Sequence, residues 1–388
     1  MSDLNWPLMK DNLTLSDRVK MASFCLSSNR FTNGPKVRQF ESKWSEWLGS
    51  KHSLYVSSGS TANYLLLSSV KELYGLKDGD KVLVPANTWV TNVGPVIQLG
   101  FTPIFCDVNL QNFSFCEKDL EYIAEKHPDI KLIFITHLIG YPANRNKYSE
   151  LFPNAILLDD VCESHGCKNP DGTKVGSNSL GSTFSFYFGH HISTIEGGMI
   201  STNNYDLYDL MRIKRSHGLA RESENFQTYI DKYPEISKQF MFVTDGYNFR
   251  NTELYAVLGM SQLKRLDRYI ERRNKNYLKF ISLMKKYSKH FLVPEYDDFV
   301  SNFCFPILCK KNETSHFLKK EFDKNGIEYR PIIGGNLLRQ PFLKNYGIET
   351  KKEKLNVDFI HDNGIYLGNN HFIGDKEIEL LDSILGQL

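Results

Sequence analysis

The sequence predicts an α/β fold, a parallel sheet covered by helices, followed by a smaller C-terminal domain. Five short apolar runs recur between residues 53 and 158, and stretches of helical periodicity separate them. Each run ends in polar, Gly or Pro punctuation, as buried strands do. The chain's 388 residues also exceed what one small core uses. Two domains are therefore expected, a large one over residues 1–250 and a smaller one over 251–388 that begins with a long connecting helix.

Taken in order, residues 15–50 read as helical and amphipathic. Val37, Phe40, Trp44, Trp47 and Leu48 recur at helical spacing after the turn Thr32, Asn33, Gly34, Pro35, which marks a core-facing stripe. The strand-like runs follow at 53–56, 81–84, 102–105, 132–135 and 155–158. Residues 204–242 turn polar and irregular and read as a loop region beside the site. From 252 to 286 one long helix is predicted, with Leu254, Leu258, Leu263, Leu266 and Ile270 facing inward. No internal repeat or low-complexity tract interrupts the chain.

Composition excludes several function classes. Lys plus Arg (47) nearly balance Asp plus Glu (45), with no block of like charge. That argues against nucleic acid or an anionic membrane as a partner, and leaves any anionic ligand to a local site. Seven scattered cysteines without a CxxC pair fit neither a disulfide framework nor a metal knuckle, and suit a reducing cytoplasm. The opening residues Met1 to Trp6 show no basic segment followed by an apolar run, and no stretch is long enough to span a bilayer. The expectation is a cytoplasmic protein, without export or membrane insertion.

In α/β folds chemistry gathers at the carboxyl ends of strands, and several candidate motifs fall there. After the first run comes Ser57, Ser58, Gly59, Ser60, Thr61, Ala62, Asn63 and then a helical stretch. A small glycine-containing turn opening a helix leaves N–H groups free for a phosphate, with Gly59 and Ser60 as its centre; a plain Ser/Thr cap is the alternative. Trp89 follows the second run, where an aromatic either stacks on a flat heteroaromatic ring or joins the core. The fifth run ends in Asp159, Asp160 and then Glu163. Later, Ser185 precedes His190 and His191, ahead of Glu196, Gly197 and Gly198.

Together with Tyr247 to Arg250 and the regions of Asn336 and Asn369, these segments resemble the DegT/DnrJ/EryC family of sugar-nucleotide enzymes over nearly the whole chain. The resemblance implies an aspartate aminotransferase-like (type I) fold dependent on pyridoxal phosphate (PLP), with a mixed, mostly parallel sheet. It further implies that Gly59, Ser60 and Ser185 meet the cofactor phosphate, Trp89 stacks on its ring, Asp160 pairs with the ring nitrogen, and Glu163 lies near the ring hydroxyl. Asn248 is expected to reach the cofactor phosphate of a neighbouring subunit, so a homodimer with shared active sites is implied. His217 and Arg250 are expected to contact substrate.

One departure from the family pattern is informative. The residue five after the serine is a lysine in the aminotransferases, where it bonds covalently to PLP; here it is His190. Imidazole cannot make that bond, so the cofactor is expected to be bound non-covalently, with His190 moving protons instead. A shift of one residue would give this role to His191. The resemblance then implies a 3-dehydratase. Glutamate converts PLP to pyridoxamine phosphate (PMP) and leaves as 2-oxoglutarate, and a nucleotide-linked 4-keto-6-deoxy sugar loses its C3 hydroxyl with release of ammonia. Overall similarity favours a GDP-linked mannose derivative and a place in O-antigen (colitose) lipopolysaccharide synthesis. A related branch uses an iron-sulfur cluster, but no cysteine lies between His191 and Cys304 to ligate one. No other metal is expected. The rival readings are a 4-aminotransferase, which needs the missing lysine, and a non-catalytic sugar-nucleotide or cofactor-binding relative.

Overall fold

The computed structural model describes residues 5–348 and 355–388; the opening residues 1–4 of the sequence reading lie outside them. Seven strands form the large sheet: β1 (His52–Val56), β2 (Lys81–Pro85), β3 (Thr102–Cys106), β4 (Leu132–Thr136), β5 (Ile156–Asp160), β6 (Ser182–Ser185) and β7 (Gly198–Thr202). Their order across the sheet is β1, β7, β6, β5, β4, β2, β3. Pairing is parallel from β3 through β6, and β7 runs antiparallel to both β6 and β1. Six strands therefore share one direction, and β7 alone opposes them. The sheet is mixed but mostly parallel, and the carboxyl ends of β1, β2, β4, β5 and β6 share one edge.

The residues of these strands explain their place. Val82, Leu83, Val84, Leu132, Ile133 and Phe134 are fully buried, as strands covered on both faces require. Helices Gly59–Leu73, Glu117–Lys126 and Tyr205–Arg215 lie among the elements around the sheet. The predicted N-terminal helical region is two helices, Leu15–Ser27 and Pro35–Leu48. Val37, Phe40, Trp44 and Leu48 of the second are buried, while Trp47 is only partly covered. Trp44 packs edge-on against Phe184 at 5.0 Å and Phe186 at 4.8 Å, beneath the end of β6.

The C-terminal part holds its own four-stranded antiparallel sheet: β8 (Phe291–Leu292), β9 (Cys304–Cys309), β10 (Tyr329–Pro331) and β11 (Gly364–Gly368), ordered β10, β11, β9, β8. Its core includes Phe280, Phe305, Ile307, Leu318 and Phe322. Two anchors tie this sheet's loops to the large one. Asn87 Nδ2 donates to Ile332 O at 3.0 Å and Gly335 O at 2.9 Å, and Leu337 N donates to Ala86 O at 3.0 Å. In addition, buried Trp6 donates Nε1–H to Gly368 O at 2.9 Å, drawing the N-terminal segment across the junction.

Two expectations are corrected here. The region 204–242 is not a loop throughout: Tyr205–Arg215 is a helix capped by Asn204, with a short helix at Phe226–Lys232. Its buried Leu207, Met211 and Ile213 supply a stripe too sparse to stand out among Asp, Lys and Arg. The single helix expected over 252–286 is two, Glu253–Leu263 and Leu266–Lys286. The break falls at Lys264 and Arg265, where neither Gly nor Pro announces it. The Arg265 side chain instead reaches across to Asp17 and to Tyr269 Oη at 3.0 Å, a tertiary bond that local pattern does not contain.

Trp44→Ala should cost about 3–5 kcal/mol of folding stability, because it opens a cavity among Phe184, Phe186 and His165. Urea denaturation checks this, and Trp44→Phe should lose much less.

Candidate active site

The shared strand edge collects the predicted residues. At the end of β1, Ser58 caps the helix Gly59–Leu73: its Oγ accepts from Thr61 N at 3.1 Å, while Thr61 Oγ1 accepts from Ser58 N at 3.0 Å. The cap is therefore present, and the capped helix aims its first N–H groups and its positive end at the edge. Gly59 is required by contact. A Cβ there would sit 2.7 Å from Ser185 Cβ and 3.1 Å from Ser185 Oγ. The helix N-terminus and the Ser185 hydroxyl thus meet at one small concavity, the chemistry a phosphate group needs. Gly198, at the start of β7, closes the same turn, for a Cβ there would lie 2.2 Å from Ser58 O.

Asp160 ends β5 and is 4% exposed. Its Oδ2 accepts from Asn63 Nδ2 at 2.8 Å and its Oδ1 from Cys162 N at 2.9 Å. Thr183 Oγ1 in turn donates to Asn63 Oδ1 at 2.6 Å. Asp159 points the other way, as strand alternation demands, into Arg145, Ser179 and His137 Nε2 at 3.2 Å. That ion pair fixes Asp159 as a structural group. A separate cleft of about 540 Å³ borders Arg145 and Asn178 and contains none of the predicted site residues.

Glu163 is partly buried, and its Oε2 accepts from Ile139 N at 3.1 Å. Burial, reinforced by the neighbouring Asp160 charge, pushes its carboxyl up to about 8, so it is mostly protonated at neutral pH. His190 behaves in the opposite sense. Burial together with the Arg273 guanidinium lowers its imidazole to about 3, which keeps it uncharged at neutral pH. His191 is turned away, with Nε2 3.2 Å from Asn302 O and 1% exposure. Of the two histidines, His190 is the one left on the open side.

Trp89 leaves the β2 loop with 57% exposure, so it is not a core residue; Tyr187 beside His190 is 44% exposed. His217, Asn248 and Arg250 form a group of their own. Arg250 donates from Nε to Asn248 Oδ1 at 3.0 Å, and its Nη2 lies 3.3 Å from His217 Nε2. Ser57 N donates to Phe249 O at 3.0 Å, which lays this strand-like segment along the end of β1. The trio is open to solvent and bonds to none of Asp160, Glu163, Ser185 or His190. Two residues escaped sequence reasoning. Asn63 was only the last residue of the turn, and Arg273 sat unnoticed on a polar helix. Arg273 is 3% exposed and donates to Phe303 O at 2.9 Å and to Asn369 O. Among the described residues no group of three or more His, Cys, Asp or Glu is placed to hold a metal ion.

The model of the DegT/DnrJ/EryC1/StrS aminotransferase family matches residues 14–382. The chain belongs to that family. A relative from Escherichia coli O55:H7, named GDP-4-keto-6-deoxy-D-mannose 3-dehydratase, is 33% identical over 98% of this chain and 100% of its own length. A crystal structure of a GDP-4-keto-6-deoxymannose-3-dehydratase mutant with bound GDP-perosamine superposes with a TM-score of 0.89 at 30% identity, covering 98% of this chain and 100% of that one. The same enzyme with a trapped PLP-glutamate geminal diamine gives a TM-score of 0.89 at 30% identity and the same coverage. The fold is thus the type I fold of PLP-dependent sugar enzymes.

Because the Glu163 value in the folded protein lies above the 4.5 of a free glutamate, the folded state binds the extra proton between those two pH values. Stability contributed by this group is therefore present below pH 4.5 and lost as pH rises toward about 8. Glu163→Gln should gain stability relative to the parent protein across that window and plateau above it. Thermal melts from pH 5 to 9 provide the check, and a constant offset between the two proteins would contradict the assignment.

Proposed function

We propose that this protein is a PLP/PMP-dependent 3-dehydratase that removes the C3 hydroxyl of a nucleotide-linked 4-keto-6-deoxy sugar, with GDP-4-keto-6-deoxy-D-mannose as substrate. The observation that carries the reading is an imidazole, His190, at the position where a covalent anchor would need an amine, on the same strand edge as the Gly59–Ser185 contact and the Asn63–Asp160 bond. Bound PLP would supply an electron-withdrawing ring and a carbonyl able to exchange an amino group with glutamate, the chemistry that loss of the C3 hydroxyl needs. Overall, two electrons from glutamate replace the C3–O bond by C3–H. The other products are 2-oxoglutarate and ammonia.

Each residue in this reading has a task. Gly59, Ser60 and Ser185 hold the phosphate, and Trp89 covers one face of the ring. Asp160, its carboxylate fixed by Asn63 and the Cys162 amide, keeps the ring nitrogen protonated. Glu163, protonated at neutral pH, donates to the ring hydroxyl oxygen. His190 takes the proton from the cofactor C4′ carbon without forming a bond to it, so nothing tethers the cofactor when the sugar leaves. The exposed trio completes a second copy's site: Asn248 reaches the neighbouring cofactor phosphate, and His217 and Arg250 meet the nucleotide sugar. Residues 1–250 carry the cofactor, and 251–388 close over the substrate.

Three further features complete the reading. The enzyme is a homodimer with shared sites and works in the cytoplasm on O-antigen sugars such as colitose. None of the seven cysteines forms a disulfide and four are buried, which supports a reducing compartment. No helix among the described residues is long and apolar enough to cross a membrane.

The deciding assay supplies PLP, glutamate and GDP-4-keto-6-deoxy-D-mannose. Equal amounts of 2-oxoglutarate and ammonia should appear with a nitrogen-free deoxy sugar, whereas an amino sugar would identify a 4-aminotransferase. His190→Asn should lower turnover by a factor on the order of 10² to 10⁴ while cofactor binding persists. His190→Lys should trap PLP covalently, visible by mass spectrometry after borohydride reduction.

A further inference from the structure

Behind His190 lies a polar feature that the proposed reaction does not use. His165 is fully buried, yet neither of its ring nitrogens has a hydrogen-bond partner; the Nδ1 atoms of His190 and His191 are also buried and unpartnered. The His165 ring centroid lies 6.0 Å from that of His190 and 5.4 Å from that of His191. Phe184, Phe186 and Trp44 enclose its other sides. Four unpartnered imidazole nitrogens in one apolar setting are costly, because each buried polar atom without a partner loses its hydration. A core that kept His165 only for volume would be better served by an apolar ring.

The orientation of His190 gives this arrangement a use. Its Nδ1 is buried and unpartnered with the His165 ring 6.0 Å away, which leaves Nε2 as the nitrogen to take a proton. A neutral imidazole carries one N–H, so Nε2 is a base only in the tautomer with the proton on Nδ1. We propose that His165 is a positioning residue: by accepting a hydrogen bond from His190 Nδ1–H through one buried water, it holds the base in the tautomer that leaves Nε2 free. His165 is suited to accept this bond because it remains neutral. Burial drives its imidazole well below the ordinary value, and His190 and Arg273 push the same way. Arg273 donates to backbone carbonyls and to no carboxylate, so its charge reinforces the neutrality of all three rings.

This inference rests on His190 being the base, and its test separates the two ideas. In histidine-labelled protein loaded with PMP, ¹⁵N NMR should show His190 as one fixed tautomer with the proton on Nδ1. His165→Phe fills the volume without an acceptor; it should give averaged His190 ring shifts and lower kcat roughly tenfold or more, with KM and PMP affinity unchanged within about twofold. His165→Gln, which restores an acceptor, should recover part of that loss. An unchanged tautomer and kcat in His165→Phe, while His190→Asn is inactive, would overturn the role of His165 alone. Activity retained in both variants would overturn the assignment of His190 itself. If His165→Phe does not fold, the parent protein decides: a proton on Nε2, or averaged shifts, removes the proposal.

Discussion

A single side-chain amide holds the site together. Asn63 donates to Asp160 Oδ2 at 2.8 Å and to Thr91 O at 3.2 Å, and accepts from Thr183 Oγ1 at 2.6 Å. It stands one turn into the helix that opens at Gly59, so these bonds tie that helix to β5, β6 and the loop that carries Trp89. The phosphate cradle and the carboxylate are thereby fixed relative to one another by a fully buried network with its partners in place. Such networks are stiff because loosening one member strands the others without water. A cofactor bound there without a covalent anchor would be positioned by this network.

Much of this arrangement was legible in the sequence, for a physical reason. Five of the seven large-sheet strands are continuous apolar runs, and a strand buried on both faces has to be one. The motifs sit at their carboxyl ends, so reading the strands located the edge where Gly59, Asp160, Ser185 and His190 meet. β6 and β7 were harder to read: Ser182, Thr183, Ser185, Ser201 and Thr202 make them polar, although all five are buried. Their hydroxyls are satisfied by neighbours distant in the chain, such as Ser53 with Ser201 at 2.9 Å. Single-sequence pattern records the polarity and not the partner.

The same limit explains the supporting residues. Arg273 lies among Arg272, Asn274 and Lys275, and a polar run on a helix ordinarily faces water. Here the helix Leu266–Lys286 turns Arg273, Asn276, Tyr277 and Phe280 inward. Asn276 and Arg273 serve as donors for the backbone around Asn369 and Asn370, so the small domain's loop is hydrogen-bonded to the helix that leads into it. His217, Asn248 and Arg250 mark the opposite situation. The sequence pattern included them in the site, whereas within one chain the side-chain bonds of Arg250 go to Asn248 and His217 and to none of Asp160, Glu163, Ser185 or His190.

Exposure and burial divide the site into two physical regimes. Asp160 and Asn63 are buried, while burial raises the carboxyl of Glu163 and lowers the imidazole of His190. Trp89 at 57%, Val90 at 39% and Tyr187 at 44% exposure instead leave a large apolar rim in solvent. An aromatic as large as Trp gains from being covered, at about 25 cal/mol for each Å² removed from water. A planar cofactor laid against Trp89 and a neighbouring chain laid over Tyr187 would both collect that gain. In the proposed reading the buried groups would supply the chemistry, and the open rim would add affinity for a coenzyme bound without a covalent bond.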